Sequence, residues 1–171
     1  MIDDIVSMNR IKVIDDPSDL VSILNVANTY TKKEVFQELS TDWRTIEEIE
    51  KKYGEEGKNA VLFLEKIKIA EVQWVNTPKG PVKSYKCYYN HVQITLTLAI
   101  NDLADVLYVA NISDKEIENY EKKVIALMDD KATLYIGSVT ESLKVSSNFL
   151  KGIIQRSNKL VLKGHNIEKL R

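Results

Sequence analysis

Residues 145–156 read VSSNFLKGIIQR, and within them Asn148, Lys151 and Gln155 recur at the helical spacing i, i+3, i+7. Leu150, Ile153 and Ile154 supply an apolar face behind that row, so the stretch predicts an amphipathic helix. An amide side chain can bond adenine at two atoms of its major-groove edge, and an ammonium can meet guanine or a phosphate. Lys144 before this helix and Arg156 at its end suit phosphate contacts. The same row also suits a solvated helix face with no partner.

Charge distribution favours the first use. The chain has 171 residues and a formal net charge of -1. From Lys131 to Arg171 there are eight Lys/Arg and only Glu141 and Glu168 as acids. That segment is therefore +6, and residues 1–130 carry the remaining -7. A local basic surface governs attraction to a polyanion more than the mean charge does. A second cationic stretch holds Lys79, Lys83 and Lys86, with no acid between Glu71 and Asp102.

The elements that must carry these residues follow from start and stop signals. Asp16-Pro17 opens a helix at PSDLVSILNV. Thr31 with Glu34, Thr45 with Glu48 and Ser113 with Glu116 each have the spacing of a capping box. Gly54 stops the helix that begins after Thr45, and a further helix is predicted over 56–67. EVQWV and SYKCYYNHVQITLTL are β-rich and flank NTPKGPVK, a Pro/Gly turn, which together make a hairpin. Helices closed by such a hairpin form a winged helix-turn-helix. From 131 onward the pattern returns in shorter form: a helix in IGSVTESLK, a tight turn, the helix of NFLKGIIQRS, and two short strands around Lys163-Gly164-His165.

The fold class expected is therefore mainly α with small β-hairpin wings (α+β), as two tandem winged helix-turn-helix units. The domains expected are 1–112 and 113–171, the second opening on the long helix after Ser113. In the first unit the candidate reading helix offers Glu55, Glu56, Lys58, Asn59, Leu62, Phe63 and Lys66 as outward positions. Of these, Lys58, Asn59 and Lys66 are candidate DNA contacts. The glutamates would oppose phosphates, and exposed apolar groups signal a partner surface. The stretch DLADVLYVANI is apolar nearly all round, which suggests burial against a second chain or within the core.

Chemistry of other kinds finds no pattern. No Gly-rich phosphate loop, H-E-x-x-H or C-x-x-C occurs, so no enzyme activity and no cofactor are expected. Cys87 and His91 stand four apart on a predicted strand and share a face, but soft-metal sites need three or four ligands, so no metal site is expected. One cysteine fits a reducing compartment, and Asn101, Asp102 and Asp105 interrupt the most apolar run. A cytoplasmic place and no membrane span are expected.

DDPSDLVSILNVANTYTKKEVFQELSTDWRTIEEIEKKYG resembles the N-terminal half of the arsenic-repressor (ArsR) type of winged-helix regulator. AVLFLEKIKIAEVQW looks like that family's recognition helix running into the first wing strand. The segment from YYNHVQITLTL to IENYEKKV looks more specifically like archaeal proteins of this class that append a second helix-turn-helix. The resemblance implies a homodimeric transcriptional regulator of double-stranded DNA, dimerised through helices flanking the winged helix. The metal-sensing members carry paired cysteines, and here Cys87 stands alone. The alternative is a winged-helix adaptor in a transcription or chromosome-segregation complex, favoured by the acidic first 130 residues.

Overall fold

A computed structural model describes residues 8–170 of the chain. In order, the elements are β1 (Ile11–Ile14), α1 (Pro17–Asn25), α2 (Tyr30–Thr41), β2 (Arg44–Thr45) and α3 (Ile46–Lys66). There follow β3 (Ala70–Thr77), β4 (Gly80–Cys87), β5 (His91–Ile94), α4 (Ile100–Asn111) and α5 (Asp114–Met128). The last are β6 (Thr133–Tyr135), α6 (Ile136–Leu143), α7 (Ser147–Arg156), β7 (Leu160–Lys163) and β8 (Asn166–Lys169). The fold is mainly α with small sheets, as the sequence predicts.

The chain divides into two compact units, one of Val26–Thr95 with the residues up to Ile14, the other of Asp15–Asn25 with Leu96 onward. This differs from a boundary at 112. Helix α1 lies in sequence between the two segments of the first unit but buries Val21 among Val106, Val109, Ile112, Phe149 and Ile153 of the second. Asn25 ties the same packing, its Nδ2 donating to the carbonyls of Val21 at 2.9 Å and Ala110 at 3.2 Å.

In the first unit, α2, β2, α3 and the β3–β4 hairpin follow one another, and the sheet order is β2-β4-β3. Helix α3 is bent at Gly54, whose φ of 69° and ψ of -161° lie outside the helical region. Glycine adopts that backbone without steric cost, so α3 is two helical segments joined by a sharp turn. Thr45 and Glu48 form the expected capping box. At α2 the cap is Thr29 rather than Thr31: its side chain accepts from the Lys32 amide, and its hydroxyl also donates to Glu56 at the start of α3's second segment. Glu38 straps α2 to the turn and α3, accepting from Arg44 Nε at 2.7 Å, Lys52 Nζ at 2.9 Å and Tyr53 Oη at 2.9 Å. Those bonds, led by the one from Lys52, hold its carboxyl down at about 2.

The long strand expected over 84–98 is two strands. Strand β4 ends at Cys87, and β5 leaves the hairpin to pair in parallel with β1, Ile11 beside His91 and Ile14 beside Ile94. A parallel partner must come from far along the chain, so local sequence could not reveal it.

The second unit runs α5, β6, α6, α7 and the β7–β8 hairpin, with sheet order β6-β8-β7. The first unit's succession of elements thus recurs. The Ser113–Glu116 capping box opens α5 as expected. Helix α4 is buried on one face only, through Val106, Val109 and Ala110, while Ile100, Leu107 and Tyr108 are exposed. Among the described residues no helix is long and apolar enough to cross a membrane.

Candidate functional site

Two places can be judged as nucleic-acid surfaces, one in each unit. In the first, α3's second segment buries Gly57, Ala60, Val61 and Leu64. The 3.6-residue period then turns Glu55, Asn59 and Leu62 outward, with Lys58 and Lys66 half-buried on the flanks. Beside it stands the β3–β4 hairpin. Lys79 at its turn is 84% exposed, and its Nζ lies 3.7 Å from Glu47. Lys83 reaches Glu65 at 3.2 Å, joining the hairpin to the end of α3. Lys58 lies 3.7 Å from Glu50 and 3.9 Å from Glu55. Lys86 sits opposite Glu71 in the hairpin register. Solvent-exposed pairs of this kind are worth about 0–1 kcal/mol each, so a phosphate can displace the carboxylate.

The structure also brings Trp74 to this surface. It is an exposed aromatic on β3, directly opposite Lys83. Together with Ile46, Glu47, Val82 and Tyr85 the two line a cleft of about 360 Å³ beside the start of α3. The signal was present in the strand alternation, which puts Trp74 on the same hairpin face as Lys83; it needed the register to be read.

In the second unit two of the three residues of the row on α7 have acidic partners. Lys151 Nζ lies 3.8 Å from Asp16, and Gln155 Nε2 donates to Asp19 at 3.5 Å, both acids belonging to α1's first turn or its cap. Burial raises the Asp16 carboxyl, but bonds from Ser18 and the charge of Lys151 outweigh it, leaving a net lowering. Ser146, the N-cap of α7, donates its hydroxyl to Asp105 of α4. Arg156 has a side chain only 5% exposed. Its guanidinium donates to the carbonyls of Val109 at 2.8 Å and Ile112 at 2.6 Å, and to Asp114 at 2.8 Å. Asn148 is half-buried, and Lys144, with φ of 54°, forms the left-handed cap of α6 and keeps an exposed side chain.

Packing explains this. Phe149 and Ile153 enter one apolar cluster with α1 and α4, while Leu150 and Ile154 enter another with α5, α6 and the hairpin. Gly152 lies between: a Cβ there would stand 3.0 Å from Val109 Cγ1 and 3.2 Å from Val21 Cγ2. The sequence signal for this was Phe149 with Gly152, which widens the apolar arc and removes a side chain where two helices press close.

Cys87 and His91 do not share a strand face, because β4 ends at one and β5 begins at the other. Cys87 is buried, and burial pushes its thiol up to about 11. His91 is exposed, its Nδ1 2.8 Å from Asn90 Oδ1.

The sequence model of a family described as "ArsR transcriptional regulator" matches residues 14–171. Neither the curated proteins nor the solved structures contain a match to the chain.

Proposed function

Because the chain belongs to the ArsR family of transcriptional regulators, we propose that it binds duplex DNA as a homodimer, through the first unit. Lys79, Lys83 and Lys86 of the hairpin neutralise phosphates, and Lys58, Asn59 and Lys66 on α3 approach the groove. The second unit supports the protein fold rather than reading bases. The observation that carries this reading is the contrast in availability. Arg156 is 5% exposed and bonded inside its own unit, and Asn148, Lys151 and Gln155 are half-buried, whereas Lys79 and Asn59 face solvent. Two copies would address half-sites about one helical turn apart, or a multiple of it. A cytoplasmic location accords with the one buried thiol.

Fluorescence anisotropy on duplexes selected from genomic fragments tests the proposal. Replacing Lys79 and Lys83 together with alanine is expected to weaken binding at least about tenfold at low salt. It should also flatten log K against log salt by about 2, near 0.9 for each phosphate that is no longer neutralised. Equal slopes for the wild type and this double variant remove the hairpin from the interface.

The adaptor reading keeps one specific support. Lys58, Lys79 and Lys83 each have a carboxylate partner from α3, and Leu62 on the same helix is exposed. No anisotropy change on any duplex at low salt favours the adaptor.

A further inference from the structure

The β1–β5 sheet is a two-stranded parallel ladder, and such a pair is marginal alone. Among the described residues of the first unit no strand pairs the other edge of β5. All four residues of β5 are exposed, Val92 at 46% and Ile94 at 55%. His91 and Thr95 turn their amides toward β1, onto the carbonyls of Arg10 at 3.3 Å and Ile14 at 2.9 Å. By strand alternation, Val92 and Ile94 direct their N–H and C=O groups to the opposite, unpaired edge.

Proteins blunt free edges with charges, prolines or bulges. Here no Asp, Glu, Lys, Arg or Pro occurs from Cys87 to Asn101. The outer edge of β1, which no described strand pairs, differs. Lys12 on β1 stands over the ring of Tyr89 at 5.5 Å, and Arg10 just before it stands over Tyr88 at 4.8 Å, with Glu71 3.8 Å away. Pairing that edge with itself would oppose like charges. The β5 edge is neutral, and its groups complement themselves.

We infer that β5 is the pairing strand of the homodimer, joining β5 of a second copy antiparallel across a two-fold axis at Gln93. In this register Val92 faces Ile94 of the second copy and exchanges two backbone hydrogen bonds with it. The reciprocal pair does the same. Val–Ile neighbours cover each other on one face. On the other face Gln93 meets its own copy in a non-hydrogen-bonded pair, where an amide both donates and accepts. The two ladders become one four-stranded sheet with β5 strands at its centre and the cationic β1 strands at its edges. This inference rests on the homodimer in the proposed function and adds a surface and register, with the seam on β5 in place of the flanking helices that the family resemblance implies.

Light scattering and thiol cross-linking test it on the full chain. The wild type is expected to scatter as a dimer at micromolar concentration. Gln93→Lys sets two ammonium groups face to face and is expected to halve the mass without changing the circular dichroism. Gln93→Cys should give a covalent dimer under mild oxidation, because Cα atoms in such a pair stand about 4.5 Å apart. Ile94→Cys, whose counterpart is Val92, should not cross-link to itself. Cys87 is buried and contributes no competing thiol. A monomeric wild type, a Gln93→Lys dimer, or cross-linking by Ile94→Cys in place of Gln93→Cys overturns the inference. DNA binding is read separately by anisotropy: retained binding with a free β5 edge sinks this inference alone, whereas a β5-paired dimer that ignores DNA sinks the functional reading.

Discussion

After Gly54, helix α3 of the first unit buries Gly57, Ala60, Val61 and Leu64 and leaves Asn59 and Leu62 to solvent. In the corresponding place of the second unit, α7 buries Phe149, Leu150, Gly152, Ile153 and Ile154, and only Ser147 is exposed. Both units run helix, strand, helix, helix and hairpin, with the same strand order. What separates them is the cover on the last helix. Helices α1 and α4 lie on α7 and supply Asp16, Asp19, Asp105 and two backbone carbonyls to its polar side chains. An amide–ammonium row at helical spacing is therefore no signature of groove reading by itself, because the same donors serve a helix packed against acidic neighbours.

The sharpest way to break this comparison is Arg156→Ala. It strands the carbonyls of Val109 and Ile112, and a buried group left without its partner costs roughly 2–4 kcal/mol once charge is involved. Both tryptophans, Trp43 and Trp74, lie in the first unit. The expected outcome is an early unfolding transition in circular dichroism that tryptophan fluorescence does not follow. Coincident, unshifted transitions would make Arg156 available to DNA again.

Gly152→Leu comes next. Its side chain must enter the space between Val21 and Val109, and overpacking costs about 1–3 kcal/mol. Thermal melting should show the loss in the second unit. If stability is unchanged, α1 and α4 can move off α7, and the contrast between the units fails.

Glu38→Gln probes the first unit, with an expected loss of about 1 kcal/mol, since charge-assisted bonds outweigh a surface pair only modestly. Its folded carboxyl sits at about 2, below the ordinary 4.5. A lowered value means that the contribution is complete above the unfolded-state value and disappears as pH falls toward about 2. Tryptophan-monitored denaturation should therefore show the variant's deficit at neutral pH shrinking below about pH 4. A deficit that stays constant across that acid range would contradict the assigned role.

Lys151→Ala should be the mildest. Its pair with Asp16 is long at 3.8 Å and partly exposed, which implies less than about 0.5 kcal/mol and an unchanged salt slope in DNA binding. A slope lowered by about 1 would make Lys151 a phosphate contact after all.

Capping was legible where it is local. Thr45 with Glu48 and Ser113 with Glu116 close their boxes within three residues. Thr29 displaced Thr31 because its hydroxyl also meets Glu56, a partner 27 positions away. The hairpin turn was legible from Pro78 and Gly80, but the division of β4 from β5 was not, since β5 answers to β1, with Ile11 beside His91. Within the first surface, the lysines of the hairpin were visible in the sequence, while Trp74's place beside Lys83 waited on the register.

The sequence alone determined the helix starts, the hairpins and the uneven charge, because neighbours within a few residues carry those terms. It also determined the amphipathic period of α7. Only the tertiary structure decided which face of α7 stays wet, since Asp16, Asp19 and Val109 reach it from other helices, Val109 across 47 positions and Asp19 across 136. Burial is a property of what packs against a helix, and no helix encodes its own cover.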